Sequence, residues 1–241
     1  EDDDLIENIF QKWPKDNVII VHAEGEKIDL AINLAKKYKN KLHITHISCK
    51  EDLDKVIAVK SEGINITCDT TPNYLFLTDN YGLKLGGFGK VKPNLAARED
   101  QDYLWENLKH IDCLATDHAP HTIQEKRDFN PPSGIPGLDT MLPLLLTAVK
   151  EKRLTLDEII RLTNINPQKI FGIKQDKDTY VEVETDEKYT IENKNLKTKC
   201  GWSPFDGWEV YGKVKKVFIR GSKVFENGNI LANPGFGKNV T

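Results

Sequence analysis

Short apolar runs alternate with amphipathic segments through the first two-thirds of the chain. The apolar runs are rich in β-branched residues, as buried strands are, and they predict strands at residues 17–24, 41–48, 64–72 and 111–117. Between them, apolar residues recur at helical spacing and predict helices at 27–39, 50–63 and 99–110. The glycine-rich segment 81–93 predicts a loop. Strands that alternate with helices in this way imply a parallel sheet.

The pattern changes in the last third of the chain. Residues 137–153 are apolar on nearly every side, which predicts a deeply packed helix, and two short helices split near Pro167 should follow. Beyond residue 173 the alternation has period two, and a hairpin turn is expected near Gly221-Ser222. Three aromatic residues should pack this β-rich part: Trp202, Phe205 and Trp208. We therefore expect two domains, residues 1–173 and 174–241.

The composition narrows the class of protein. The 241 residues carry a formal net charge of −3, so no basic field argues for binding to nucleic acid. No apolar run is long enough to span a membrane, and the acidic start EDDDLIENIF resembles neither a signal nor a transit peptide. The four cysteines have no CxxC spacing and are expected to be reduced, mostly in the core. The sequence thus predicts a cytoplasmic globular protein without a membrane segment.

Polar side chains occupy the ends of the four predicted strands. They are His22, His46, Asp69 and Asp117. The carboxyl ends of parallel strands meet at one rim, where such folds gather their chemistry. Imidazole nitrogens and carboxylate oxygens are ligands that zinc takes. One histidine at a strand end is more often structural than a ligand, but His22, His46 and Asp117 at equivalent positions favour a metal site.

Neighbouring residues leave alternatives open. Asp117 is either a helix N-cap or a carboxylate that accepts a proton from water beside a metal. His121 is an ordinary loop histidine or a donor toward a substrate anion, and Lys92 is a solvated cation or part of the same site. His43 lies three residues before His46, so it should point to the opposite face and have a structural role.

Two motifs carry a resemblance to a known family. ATDHAPHT at residues 115–122, followed by Glu-Lys, and GIPGLDTMLPLLLTAV at 134–149 resemble the dihydroorotases of the amidohydrolase superfamily. The likeness is greatest to the dihydroorotase domain of the animal multifunctional pyrimidine-synthesis protein, and it covers nearly the whole chain. Hydantoinases and allantoinases share the barrel and several ligands, so a cyclic amidohydrolase of that type is an alternative.

The resemblance implies an α/β fold: the C-terminal half of a (β/α)8 TIM-type barrel, about four β/α units, with a small β-sandwich appendage. It also implies a pair of Zn²⁺ ions in the complete active site. Matched onto this sequence, His22 and His46 are ligands of the second zinc. Asp117 is a ligand of the first zinc and the catalytic general acid and base. His121 binds the carboxylate of the substrate.

Other matched positions depart from the family pattern. Lys92 stands where the family usually has Asn or Arg contacting substrate, and Ser133 falls on a loop that lines the substrate. Asp69 falls where some members carry an acid near an additional metal. Asn73-Tyr74 replaces a pair that is often His-His, which weakens any claim to a third metal.

The implied activity is zinc-dependent, reversible hydrolysis of the cyclic amide of (S)-dihydroorotate to N-carbamoyl-L-aspartate in pyrimidine biosynthesis. The family's His-x-His pair and carboxylated lysine do not occur in this chain, so we expect it to be the C-terminal part of a longer enzyme. Expected partners are the missing N-terminal half of the barrel, a second copy in a homodimer, or an aspartate carbamoyltransferase. A catalytically inactive dihydroorotase-like scaffold, which would hold no stoichiometric zinc, and an open four-stranded binding domain are the alternatives.

Overall fold

The first part of the chain contains the predicted parallel sheet. The computed structural model describes residues 3–240. Its parallel strands, ordered β1-β2-β3-β4, are β1 (Val18–Val21), β2 (Lys41–Ile44), β3 (Ile66–Thr70) and β4 (Cys113–Leu114). The prediction of four parallel strands is confirmed. The strands are shorter than predicted at their carboxyl ends, because the polar residues that follow leave the sheet ladder.

Helices connect the strands of this sheet. They are α1 (Asp3–Lys12), α2 (Glu26–Tyr38), α3 (Lys50–Ser61), α4 (Pro72–Phe76), α5 (Asp79–Leu85), α6 (Arg98–Glu106) and α7 (Ile123–Lys126), with 3₁₀ turns at Gly86–Gly89 and Leu108–His110. The central strand β2 is buried on both faces, since Leu42, His43 and Ile44 are all 1% exposed or less. Cys68 and Cys113 are buried, whereas Cys49 and Cys200 are partly exposed, and all four are free thiols.

The loop predicted for residues 81–93 is wrong over its first half. Helix α5 begins after Thr78, whose hydroxyl caps the helix by accepting a hydrogen bond from the backbone nitrogen of Tyr81. The glycines serve close packing here rather than an open loop. A Cβ atom on Gly89 would lie 2.4 Å from the carbonyl oxygen of Gly82.

The remaining elements form a helical layer and an antiparallel sheet. The helices are α8 (Met141–Lys150), α9 (Leu156–Ile160) and α10 (Asn166–Phe171), with one π-helical turn at Arg161–Ile165 between the last two. The strands, in the order β5-β6-β7-β8, are β5 (Tyr180–Thr190), β6 (Glu209–Ile219), β7 (Ser222–Glu226) and β8 (Asn229–Ile230). Pro167 lies in the first turn of α10 rather than in a break between helices.

Helix α8 packs directly on strand β6. The hydroxyl of Thr147 accepts a hydrogen bond of 2.8 Å from the backbone nitrogen of Tyr211, and Leu146 lies against Gly212. The β6-β7 hairpin turns at Arg220-Gly221, because Ile219 pairs with Ser222. Within residues 3–240 the β-rich appendage is therefore a four-stranded antiparallel sheet with helix α8 packed on it.

The chain divides into two compact units, each made of segments that are separate in sequence. One unit contains residues up to Leu138 together with Thr198–Pro204, and the other contains Asp139–Lys197 together with the residues from Phe205 onward. Trp202 thus belongs to the unit with the parallel sheet, not to the β-rich part that it was expected to pack. The division into domains at residues 1–173 and 174–241 stays a prediction. No helix within residues 3–240 is long and apolar enough to cross a membrane.

Candidate metal and substrate site

His22 and His46 come together where β1 and β2 end. His22 follows β1 directly, and His46 lies two residues beyond the end of β2. Their nearest ring nitrogens, His22 Nδ1 and His46 Nε2, are 2.8 Å apart, and the ring centroids are 4.8 Å apart. Adjacent parallel strands deliver the two imidazoles to one point because both strands end at the same rim.

The environment of His46 favours a neutral imidazole in a fixed position. The residue is buried, its φ of 45° lies in the left-handed region, and Nδ1 has no hydrogen-bond partner among residues 3–240. Burial lowers the pKa of His46, while the nearby Asp117 carboxylate acts in the opposite direction. The neutral imidazole that burial favours is the form that binds metals.

Asp117 faces the same two imidazoles from the end of β4. It lies three residues beyond that strand, is half-buried, and has a φ of 44°. Burial raises the pKa of Asp117, and His46 and His22 oppose this rise. The N-cap alternative for Asp117 is wrong, because helix α7 is capped by Thr122 in a capping box with Glu125.

Asp69 and His43 form a buried pair behind His46. The backbone nitrogen of His46 donates to Asp69 Oδ1 over 2.8 Å, and His43 Nε2 lies 2.9 Å from Asp69 Oδ2. His43 Nδ1 is 2.8 Å from the hydroxyl of Thr67. Asp69 is therefore a residue of β3 that holds the backbone of a predicted ligand, not a turn residue. The structural role expected for His43 is consistent with this arrangement.

A cavity opens in front of the two histidines. Its volume is about 660 Å³, and its polar lining includes His22, His46, Glu24 and Lys92. The Lys92 ammonium lies 3.7 Å from Glu24 Oε1, and both side chains are substantially exposed. The cavity therefore presents a cation beside the imidazole pair.

The other predicted substrate residues, His121 and Ser133, contact each other. His121 Nε2 lies 3.2 Å from the carbonyl oxygen of Ser133, and the indole nitrogen of Trp202 donates to the carbonyl of His121 over 2.7 Å. Neither His121 nor Ser133 is among the residues that line the 660 Å³ cavity. Trp202 was missed as a site residue because 81 positions separate it from His121.

His118 holds the loop that contains Gly137. Its Nδ1 accepts hydrogen bonds from the backbone nitrogens of Gly137 and Leu138, at 3.0 and 3.3 Å. The residue also pairs with Ile135 in an isolated β-bridge. Within DHAPH at residues 117–121, His118 thus has a structural contact, while His121 stays the predicted substrate residue.

The two imidazoles of His22 and His46 are placed to share a divalent metal ion, but they do not make a complete ligand set. Two nitrogens bound tetrahedrally to one zinc at about 2.0–2.1 Å lie roughly 3.3 Å apart, so the His22–His46 spacing needs only a small adjustment. The buried Nδ1 of His46 without a partner and the coupled Asp117 carboxylate belong to the same cluster. Within residues 3–240, no three His, Cys, Asp or Glu side chains are grouped closely enough to hold a metal by themselves.

Known proteins with similar sequences include multifunctional proteins and dihydroorotases. The multifunctional protein CAD of Squalus acanthias is 44% identical over 232 residues, which is 96% of this chain and 10% of that protein. A dihydroorotase of Pyrococcus furiosus is 38% identical over 232 residues, 94% of this chain and 54% of that protein. The chain thus spans about half the length of the curated dihydroorotases that it matches. No family model matches the chain.

Solved structures with the same fold are cyclic amidohydrolases and a related inactive domain. L-hydantoinase (dihydropyrimidinase) from Arthrobacter aurescens has a TM-score of 0.94 at 27% identity, covering 100% of this chain and 64% of that one. The inactive dihydroorotase-like domain of a Chaetomium thermophilum CAD-like multifunctional protein has a TM-score of 0.80 at 27% identity, covering 97% of this chain and 66% of that one. The parallel sheet is therefore part of a TIM-type barrel fold. By sequence and fold together, the chain is a relative of the dihydroorotases within the amidohydrolase superfamily.

Proposed function

We propose that this chain forms part of the active site of a dihydroorotase, which interconverts (S)-dihydroorotate and water with N-carbamoyl-L-aspartate. The observation that supports this most is the 2.8 Å approach of His22 Nδ1 and His46 Nε2 at the ends of adjacent parallel strands. Asp117 is electrostatically coupled to both from the same sheet. Relatives that carry the name dihydroorotase match nearly the whole chain.

His22, His46 and Asp117 are the residues that would hold zinc, with two Zn²⁺ ions in a complete site. Further ligands would come from the rest of the protein, because residues 3–240 do not contain a complete set. When bound, the metal polarises the scissile carbonyl and favours deprotonation of water. Burial lowers the pKa of His46 and so favours the neutral imidazole, which suits this ligand role.

Asp117 would move the proton in the reaction. Its carboxylate oxygen accepts a proton from the attacking water and later gives it to the departing ring nitrogen. Burial raises the pKa of Asp117, which brings its two protonation states closer in free energy near neutral pH. One carboxylate can then act first as the base and afterwards as the acid.

His121, Lys92 and Ser133 would bind the substrate. A cationic wall suits a ring that carries a carboxylate, whereas hydantoinases often handle rings with apolar substituents. The Lys92 ammonium is exposed and has a carboxylate neighbour at 3.7 Å, Glu24, from which a substrate anion could recruit it. This charge is the feature that favours dihydroorotate over a neutral cyclic amide.

The reaction belongs to pyrimidine biosynthesis in the cytoplasm, and the chain would work with the N-terminal half of the barrel. We further propose association as a homodimer or with an aspartate carbamoyltransferase; the relative named multifunctional protein CAD supports only an association with other domains.

The test is ring opening by the full-length protein with zinc present. We expect turnover of dihydroorotate with a higher kcat/KM than for a 5-substituted hydantoin. Asp117→Asn should lower kcat by at least about 100-fold while substrate still binds. Asp102→Asn, the same change on the exposed face of α6, is the matched control. A folded, zinc-supplied wild type without turnover would identify an inactive scaffold instead, and a preference for the hydantoin would favour a hydantoinase.

A further inference from the structure

Lys126 is a buried lysine whose ammonium is satisfied by backbone carbonyls. The residue ends helix α7 and is 1% exposed. Its Nζ donates to the carbonyl oxygens of Lys90, Pro132 and Gly134 at 3.0, 2.8 and 3.0 Å. An ammonium has three N–H groups, so each one has an acceptor. Burying a charge without such partners would cost several kcal/mol.

The three acceptors belong to two segments that are separate in sequence. Lys90 precedes the predicted substrate residue Lys92 by two positions, while Pro132 and Gly134 flank Ser133 on both sides. The segments are also joined directly, because the backbone nitrogen of Gly134 donates to the Lys90 carbonyl over 3.0 Å. One side chain therefore ties together the two loops that carry proposed substrate contacts.

The same network reaches His121. The imidazole Nε2 of His121 lies 3.2 Å from the Ser133 carbonyl, between two of the residues that Lys126 holds. The indole nitrogen of Trp202 donates to the His121 carbonyl, and the Lys126 ammonium lies 5.7 Å from the centre of the Trp202 ring. Trp202 thus holds the backbone of His121, and Lys126 holds the residues on both sides of Ser133, which His121 contacts.

Close packing leaves these segments little freedom. A Cβ atom on Gly87 would lie 2.0 Å from the carbonyl oxygen of Lys126. A Cβ atom on Gly134 would lie 2.3 Å from the carbonyl of Ala119 and 3.1 Å from His121 Cδ2. Contacts of this kind transmit a local shift, because packed protein interiors have no space in which to absorb it.

We propose that Lys126 is a positioning residue that sets the relative placement of Lys92, Ser133 and His121, and so the affinity for the carboxylate of an anionic ring. The inference rests on the proposed function, since it names the residues that this function assigns to substrate binding. Lys126 touches neither the imidazole pair nor Asp117 through any of its hydrogen bonds, so it acts on binding and not on proton transfer.

The variant Lys126→Met keeps an unbranched side chain that is one heavy atom shorter and removes all three donors. In the full-length zinc-supplied protein we expect KM for dihydroorotate to rise about 10-fold or more while kcat changes less than about 3-fold. Zinc content should be unchanged. An unchanged KM in the folded variant, or a fall in kcat that follows loss of zinc, would overturn the proposal.

Direct binding separates positioning from general destabilisation. Orotate carries the ring carboxylate and uracil lacks it, so the ratio of their dissociation constants reports the anion contact. Lys126→Met should lower this preference for orotate about 10-fold, whereas loosening of the whole site would weaken both ligands alike and refute the proposal. If the variant fails to fold, Trp202→Phe, which removes the donor to His121 and keeps the ring, should shift the ratio in the same direction. An unchanged ratio there counts against the proposal.

The two proposals fail separately. A wild type that neither binds orotate nor opens dihydroorotate contradicts the proposed function. A wild type that does both, with Lys126→Met and Trp202→Phe indistinguishable from it, contradicts only the positioning role.

Discussion

The backbone nitrogen of His46 donates a hydrogen bond of 2.8 Å to Oδ1 of Asp69. This bond holds a residue in the left-handed backbone region, where a side chain other than glycine costs roughly 1–2 kcal/mol. The other carboxylate oxygen of Asp69 is 2.9 Å from His43 Nε2, in the buried interior of the sheet. Strand β3 thus anchors the backbone that presents His46 toward His22.

Asp69→Asn should weaken metal binding without removing a proposed ligand. The change removes the charge and places an amide NH2 or a neutral carbonyl opposite His43 Nε2, so the hydrogen bonds that support His46 are weakened. Groups that orient metal ligands typically contribute about 10-fold to 100-fold to affinity. We expect a loss of zinc affinity in this range, measured by competition with a chromophoric chelator on the full-length protein.

Asp100→Asn is the control for that comparison. Asp100 Oδ1 also accepts a backbone hydrogen bond from another element, from Lys50, but at an exposed position. Its zinc affinity should equal that of the wild type. Equal affinities for all three proteins would mean that Asp69 does not orient His46.

The meeting of polar residues at one rim of the sheet could be predicted because it depends only on the local pattern of apolar and polar residues. Apolar runs mark the strands, and parallel strands must bring His22, His46 and Asp117 to one end whatever the loops do.

The Lys126 and Trp202 contacts could not be predicted in this way. The Lys126 ammonium reaches a carbonyl 36 positions away, and Trp202 reaches one 81 positions away. A lysine at a helix end and a tryptophan beside a β-rich segment carry no local signal of burial. Such pairs are decided by packing between distant segments.

The prediction of a loop in the glycine-rich segment 81–93 was wrong for a different physical reason. Glycine disfavours helix on average, but Thr78 caps a helix there, and a Cβ atom on Gly82 would lie 2.8 Å from Leu95 Cδ1. Close packing favoured glycine at this position, and composition alone cannot distinguish that demand from loop flexibility.

Gly212→Ala should destabilise the contact between α8 and β6. Gly212 has a φ of 89°, and a Cβ atom there would lie 2.3 Å from Leu146 Cδ1 and 2.7 Å from Leu146 Cβ. Gly207→Ala is the matched control, since Gly207 has a φ of 83° and open space around it. Both variants incur backbone strain, and Gly212→Ala should cost about 1–3 kcal/mol more because it also overpacks the contact.

Hydrogen exchange of peptides from β6 measures the local opening free energy of the two glycine variants. The opening free energy should fall further in Gly212→Ala than in Gly207→Ala. Equal losses would show that the backbone conformation accounts for the whole effect and that Leu146 moves aside.

Lys126 should make stability depend on pH in a defined window. Burial lowers the pKa of Lys126 from 10.5 to about 8 in the folded chain. Between these values the unfolded chain binds more protons, so the stability contributed by this group rises with pH, by roughly 1.4 kcal/mol per pH unit at most. Below the window Lys126 is protonated in both states, and above it in neither.

The difference in unfolding free energy between wild type and Lys126→Met isolates this group. Urea titrations at about pH 7 and about pH 10 should show the wild type gaining relative to the variant at the higher pH. A difference that does not change with pH would mean that the three carbonyls hold the pKa of Lys126 near its ordinary value.

The account depends on His22 and His46 sharing one metal ion, and zinc stoichiometry of the full-length protein tests this most directly. Metal analysis after dialysis should show that His22→Asn, His46→Asn and the double variant each lose the same single equivalent, while His110→Asn, which changes a histidine outside the site, loses none. Full zinc content in the His22 and His46 variants, or separate losses that add in the double variant, would contradict a shared ion.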